Sequence, residues 1–320
     1  MKREMQRRTL GKSGLEASPL CFGGNVFGWT ADEPTSFKML DAFMAAGMNF
    51  IDTADVYAKW APGNQGGESE TLLGRWMKQR GNRDKVIIAT KVGSDMGPQG
   101  KGLSRVYIMR AVDASLKRLQ THYVDLYQSH IDDPGTALEE TLGAYADLIA
   151  QGKVRTIGAS NYTAERLTEA LQVSKKHAFP RYESLQPLYN LYDRTGYETA
   201  LEPLCRTEGV GVISYSSLGS GFLSGKYRSE GDVSKSVRGQ GVQRRYYNDR
   251  GFRILRALDE VAQQHRSTPG AVALAWLLGR PGLTAPIVSA TSVEQLNELM
   301  AVTRLELDAA SIEHLTQASA

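Results

Sequence analysis

The feature that most limits what this chain can fold into is a rhythm. Short apolar, β-rich runs alternate with segments of helical periodicity about eight times along 320 residues. The candidate strands are residues 18–22, 49–53, 86–91, 124–130, 154–159, 183–186, 210–215 and 286–289. The helical segments between them are 37–46, 68–79, 106–119, 135–150, one opening near Thr163, then 197–207, 252–265 and 293–302. Continuous apolar runs of this kind mark parallel strands covered on both faces, and each strand–helix step fits a right-handed crossover. About eight such steps predict an α/β fold, a (β/α)8 TIM barrel. A short N-terminal β-hairpin is expected over 8–16, turning at Gly11, Ser13 and Gly14. A long irregular stretch, 224–248, follows the seventh strand. The whole of 1–320 reads as a single barrel domain. A doubly wound open sheet would place a GxGxxG turn after the first strand. Gly23-Gly24-Asn25-Val26-Phe27-Gly28 does not have that pattern and runs on into Trp29-Thr30-Ala31-Asp32, which weighs against it.

A barrel of this kind carries its chemistry at the C-terminal ends of its strands. The polar residues closing the strands are Asp52, Lys91, His130, Ser160 with Asn161, Gln186 and Tyr215, and Tyr57 lies just past Asp52. Tyr57 can donate a proton, but a free phenol is a poor acid at neutral pH. A nearby ammonium would lower its pKa, and Lys91 could supply that charge with Asp52 holding it. His130 could donate a hydrogen bond to a carbonyl oxygen and orient it. With a nicotinamide opposite, these groups make a hydride-transfer site. Asn161 and Gln186 carry amides that suit a carboxamide, and Tyr215 offers a flat face to a pyridine ring. Taken alone, a buried Asp–Lys pair or a strand-end histidine is more often structural; the combination is what points to catalysis. His122, His177, His265 and His314 lack such company and read as surface or structural groups.

The set resembles the aldo-keto reductase superfamily, in the branch of potassium-channel β subunits and related bacterial reductases. The matching stretches are Asn49-Phe50-Ile51-Asp52-Thr53-Ala54-Asp55-Val56-Tyr57, Ala89-Thr90-Lys91, Asp125-Leu126-Tyr127-Gln128-Ser129-His130, 152–161 and 186–191. The resemblance implies a catalytic tetrad of Asp52, Tyr57, Lys91 and His130, with Tyr57 as the acid. It also implies a dinucleotide bound without a Rossmann fold. The run Tyr215-Ser216-Ser217-Leu218-Gly219-Ser220-Gly221, continued by Lys226, is similar to the family's pyrophosphate loop, with Ser217 in place of a frequent proline. The run from Ser289 to Glu298 is similar to the adenosine-phosphate segment and includes Thr291 and Gln295. Thr291 stands where many members carry arginine, and Leu299 where many carry asparagine. In the channel-subunit branch an arginine of the long loop supports the phosphate, and Arg238 fits that role. A hydroxyl and a guanidinium can bind a 2′-phosphate, and the segment opens a helix whose N-terminus favours anions. The expected cofactor is therefore NADP (as NADPH), with NAD possible. Phe27, Trp29 and Trp60 are the candidate substrate-pocket residues; for the tryptophans, loop anchoring is the competing reading.

Composition narrows the partners. A net charge of +3 gives no basic stripe of the kind nucleic acid or a membrane surface would need. No apolar stretch is long enough to span a bilayer. The basic stretch 1–8 has no apolar core after it, so no standard secretory signal is expected. The two cysteines, Cys21 and Cys205, form no disulfide framework, and neither has metal-ligand spacing, so no metal is expected. A reducing, cytoplasmic setting fits. Asp132-Asp133 is expected to cap the next helix, and Arg244-Arg245 to face solvent. The predicted activity is reversible reduction of a small-molecule aldehyde or ketone with NADPH; the oligomeric state is open. The alternatives are a cofactor-sensing binding protein like the channel β subunits and a Schiff-base lyase using Lys91. The aspartate beside Lys91 argues against the lyase, because it keeps the amine charged.

Overall fold

The computed structural model describes residues 6–320. Part of the basic N-terminal stretch, residues 1–5, lies outside the described residues. The chain opens with an antiparallel hairpin, β1 (Arg8–Thr9) and β2 (Glu16–Ala17). Eight parallel strands follow: β3 (Cys21–Gly23), β4 (Phe50–Asp52), β5 (Ile87–Val92), β6 (Val124–Ser129), β7 (Val154–Ser160), β8 (Tyr182–Gln186), β9 (Gly211–Ser214) and β10 (Leu283–Val288). They pair in chain order, and β10 returns to β3, closing the barrel. The expected (β/α)8 architecture is therefore present, hairpin included. The first strand begins later than the sequence suggested: Ser18 pairs with Asn49 in the turn before the barrel, and the ladder starts at Cys21.

Side-chain alternation along the strands sets the two environments. Lys91 of β5 pairs with Gln128 of β6, and Gln128 with Gly158 of β7, so these three form one row across the barrel. The residues between them face outward: Thr90 donates to Glu70 at 2.5 Å, and Ser129 hydrogen-bonds Tyr145 at 2.9 Å. A small apolar cluster fills the lumen at the N-terminal end, where Leu10 and Ala17 of the hairpin join Phe50, Ile87, Leu126 and Ile213. The hairpin thus plugs the bottom. The larger core lies between barrel and helices.

The helices are α1 (Glu33–Ala45), α2 (Glu68–Arg80), α3 (Arg105–Leu119), α4 (Leu138–Ala150), α5 (Ala164–His177), α6 (Thr195–Glu198), α7 (Leu201–Glu208), α8 (Gly239–Tyr246), α9 (Asp249–Gln264), α10 (Pro269–Leu278), α11 (Val293–Met300) and α12 (Ala309–Ala318). Several begin where a polar side chain caps them. Asp32 accepts from Thr35 N, which starts α1 four residues before the apolar pattern does. Asn248 likewise starts α9 at Asp249. The segment 197–207 divides into α6 and α7. The α4 helix starts at Leu138, three residues later than expected. Asp133 does not cap it: its carboxylate accepts from Leu103 N, Gly135 N and Thr136 Oγ1, which ties down the preceding turn. The long stretch 224–248 is not wholly irregular, for it contains a 3-10 turn at Glu230–Lys235 and α8. Arg245 of α8 is paired with Asp193 at 2.7 Å rather than simply solvated. No helix among the described residues is long and apolar enough to cross a membrane.

Candidate active site

Asp52 ends β4, Lys91 lies near the end of β5, and His130 follows β6, so all three arrive at the C-terminal rim. Tyr57 reaches the same point from the turn after β4. Asp52 and Lys91 are buried, and a charged pair can be buried only where each partner is fully hydrogen-bonded. That condition holds. Lys91 Nζ donates to Asp52 Oδ2 at 2.6 Å, to Thr53 O at 2.8 Å and to Tyr57 Oη at 2.8 Å, which uses all three ammonium protons. Tyr57 Oη donates to Asp52 Oδ2 at 3.1 Å. Asp52 Oδ1 accepts from Gln186 Nε2 at 2.9 Å and from Gln128 Nε2 at 3.3 Å.

The Tyr57 acidity differs from the expectation. Burial pushes its phenol well above the ordinary value, and the neighbouring Asp52 carboxylate adds to the rise. The phenol therefore holds its proton firmly; the Lys91 ammonium does not offset that rise. His130 moves the other way. Burial, with Lys91 nearby, lowers its imidazole to about 3, so the ring is neutral. Its Nδ1 is buried without a hydrogen-bond partner, which leaves Nε2 as the nitrogen on the open side. The Tyr57 and His130 rings meet edge to face at 6.1 Å, and Tyr57 meets Trp60 at 5.9 Å.

Above these groups lies a cavity of about 800 Å³ running across the C-terminal face from Tyr57, Trp60 and His130 to Thr291, Gln295 and Glu298. Ser160, Asn161, Gln186, Tyr215, Ser216, Leu218, Gly221, Lys226, Arg238 and Ser289 also line it. Tyr215 Oη donates to Asn161 Oδ1 at 2.9 Å, which fixes the Asn161 amide. Thr291 donates from its N–H and its hydroxyl to Gln295, each at 3.0 Å. Lys226 and Arg238 have no carboxylate partner among the described residues, although the long loop around them holds several paired cations. Burial lowers the Arg238 pKa. Two unpaired cations in one cleft suit an anionic ligand.

Three sequence candidates are not where expected. Phe27 is fully buried, packed edge to face on Phe22 at 5.3 Å, so it belongs to the core and not to the pocket. Trp29 does not line the cavity; it stands against Trp60 at 5.7 Å with the Arg238 guanidinium 5.4 Å from its ring centre. Gly219 is buried in the loop backbone behind the cavity wall. Among the residues missed are two that contact predicted site residues directly. Asn25 lines the cavity and accepts from Ser289 Oγ at 2.7 Å. Gln128 touches Asp52 from inside the barrel; alternation back from His130 along β6 was the available signal.

The family model for the aldo/keto reductase family matches residues 19–320. The chain belongs to the aldo/keto reductase family. Among its relatives, the oxidoreductase YrpG of Bacillus subtilis (strain 168) is 35% identical over 312 residues, covering 95% of this chain and 93% of the relative. A probable voltage-gated potassium channel subunit beta of Oryza sativa subsp. japonica is 34% identical over 304 residues, 92% of this chain and 90% of the relative. L-glyceraldehyde 3-phosphate reductase of Escherichia coli (strain K12) is 33% identical over 305 residues, 92% and 86%. Membership of the aldo/keto reductase family supports carbonyl reduction as the general chemistry and nicotinamides as the general cofactor class.

Proposed function

We propose that the protein is an NADPH-dependent reductase of aldehydes or ketones, reversible in direction, with Tyr57 as the proton donor. The observation that carries this reading is the Tyr57 hydroxyl: it receives a 2.8 Å hydrogen bond from Lys91 and lies beside the cavity with a neutral His130 ring against it. The cavity fits a dinucleotide by its donor set. Ser160, Asn161 and Gln186 face it near Tyr57, and the unpaired Lys226 and Arg238, with Thr291, sit where phosphates would need charge. When bound, the nicotinamide supplies hydride. His130, through Nε2–H, orients the substrate carbonyl oxygen toward Tyr57. Tyr57 passes its proton to that oxygen as negative charge builds on it; a phenol that holds its proton at neutral pH is still acidic enough for an alkoxide. Lys91 then stabilises the phenolate left behind, and Asp52 keeps Lys91 aimed. Trp60 and Val237, both exposed and lining the cavity, give the substrate an apolar flank. Two free, buried cysteines suit a reducing cytoplasm.

The likeness to channel β subunits favours a second reading, a cofactor sensor with slow turnover. The three hydrogen bonds from Lys91 Nζ argue against a Schiff-base role, since that amine is neither exposed nor free. The test is a fluorescence titration with NADPH and with NADH, followed by a screen of aromatic and aliphatic aldehydes. Tight NADPH binding with turnover supports the reductase. Tight binding with turnover too slow to sustain a steady state supports the sensor, and binding of neither cofactor refutes both.

A further inference from the structure

The hydrogen bonds around Asp52 divide by oxygen. Oδ2 serves Lys91 and Tyr57, whereas Oδ1 serves two amides, Gln186 and Gln128. The two amides differ in what they can touch. Gln186 lines the cavity, so a carboxamide bound there competes for its polar atoms. Gln128 is fully buried in the lumen and can touch no ligand. Its Oε1 accepts from Gln186 Nε2 at 3.4 Å, which orients its own NH2 toward Asp52. The barrel makes room for it: a Cβ on Gly158 would fall 3.2 Å from Gln128 Cγ and 2.1 Å from Ser184 Oγ. A polar side chain this deep among apolar neighbours costs free energy unless its hydrogen bonds are made.

We propose that Gln128 is a positioning residue that keeps Asp52 hydrogen-bonded when Gln186 engages the nicotinamide carboxamide, so that cofactor binding does not loosen the Asp52–Lys91–Tyr57 chain. The inference rests on the reductase reading. Without the Gln128 donor, Asp52 becomes a stronger acceptor at its other oxygen and grips the Tyr57 proton more tightly. A hydrogen bond to a charged group is worth roughly 10- to 100-fold.

The test uses the full chain with Gln128→Met, an apolar residue of similar length, and Gln186→Met for comparison. Gln128→Met is expected to lower kcat by roughly tenfold, and to move the limb of the pH profile that reports Tyr57 ionisation to higher pH. Its NADPH Kd by fluorescence titration should stay within about twofold of the parent, while Gln186→Met weakens it further. If Gln128→Met folds poorly by thermal melt, Gln128→Glu decides. Its protonated carboxyl can donate to Asp52, so its activity should climb toward the parent's as pH falls, which a merely structural residue would not produce. An unmoved kcat and pH limb in a folded Gln128→Met, or a loss of NADPH binding equal to that of Gln186→Met, overturns the proposal. So does a Gln128→Glu variant without recovery at low pH. A parent protein that turns over no carbonyl overturns the reductase reading itself, a result distinct from an active parent with an unaffected variant.

Discussion

A single oxygen atom on Tyr57 separates two kinds of contact. Its ring touches Trp60 and His130 and lies 4.5 Å from the Lys91 ammonium, whereas its hydroxyl makes the hydrogen bonds with Lys91 and Asp52. Tyr57→Phe is therefore expected to keep NADPH affinity, read by titration, and to lower kcat by roughly 10²- to 10⁴-fold. Full turnover in that variant would remove Tyr57 from the proposed role. Two residues before it, Asp55 is buried with neither carboxylate oxygen hydrogen-bonded, and burial, with Glu70 nearby, raises its pKa to about 8. Its unfolded pKa is near 4. The folded state thus binds the extra proton between those values, and stability present below about pH 4 is lost as pH rises through about 8. Asp55→Asn should flatten the fall of Tm between pH 5 and 8; parallel Tm curves for the two proteins would count against it. The quartet of Asp52, Tyr57, Lys91 and His130 was legible because each is a chemically rare ending to an apolar strand or its loop. Gln128 was not, because a neutral amide inside a strand carries no signal until its neighbours are placed. Phe27 misled because an aromatic residue in a glycine-rich loop looks the same in sequence whether it turns inward or out.

At the scale of elements, two helix starts were read late because a polar cap stands several residues before the first apolar residue of the expected pattern, at Asp32 and at Asn248. The α10 helix was missed for a different reason. It is apolar on every side and nearly all buried, so it shows no amphipathic period, and only Thr268 and Pro269 mark its start. The α2–α3 contact yields a prediction that helix propensity alone would reverse. A Cβ on Gly74 of α2 would lie 2.2 Å from the carbonyl oxygen of Arg118 in α3. Alanine normally favours a helix interior over glycine by about 1 kcal/mol. Here Gly74→Ala must push the two helices apart, so it should lower Tm with an overpacking cost of about 1–3 kcal/mol. A raised Tm would show that α2 can shift freely. The same helix pair carries Glu70, whose carboxylate takes Arg118 at 2.7 Å as well as Thr90, so displacement would also disturb a buried ion pair.

For the whole molecule, the closed order of strands was legible from the count of strand–helix cycles, because a parallel sheet of eight with short connections has few other ways to remove its edges. The course of 224–248 was not, since no periodicity distinguishes a bare loop from one carrying a short helix. That stretch brings Arg238, which lines the cavity, against Trp29, a residue of the loop after the first barrel strand. Arg238→Ala should weaken NADPH by roughly 10- to 100-fold in titration while NADH changes much less. Equal losses for both cofactors would reassign Arg238 to general support of the loop.

The cavity also has a division of labour in its construction. The groups proposed to move the proton come from β4, β5 and β6, whereas the cations and hydroxyls at the far end come from the segments after β9 and β10. The barrel wall joins them, and so does an aromatic relay in which Arg238 lies on Trp29, Trp29 against Trp60 and Trp60 against Tyr57. A designer who exchanged the segments after β9 and β10 for those of another barrel to retune nucleotide choice would keep the donors of β4, β5 and β6 but would also replace Val237 on the substrate flank and Arg238 on that relay. Selection acting on such a chain would meet the same linkage: redox economy and substrate could not drift on wholly separate schedules.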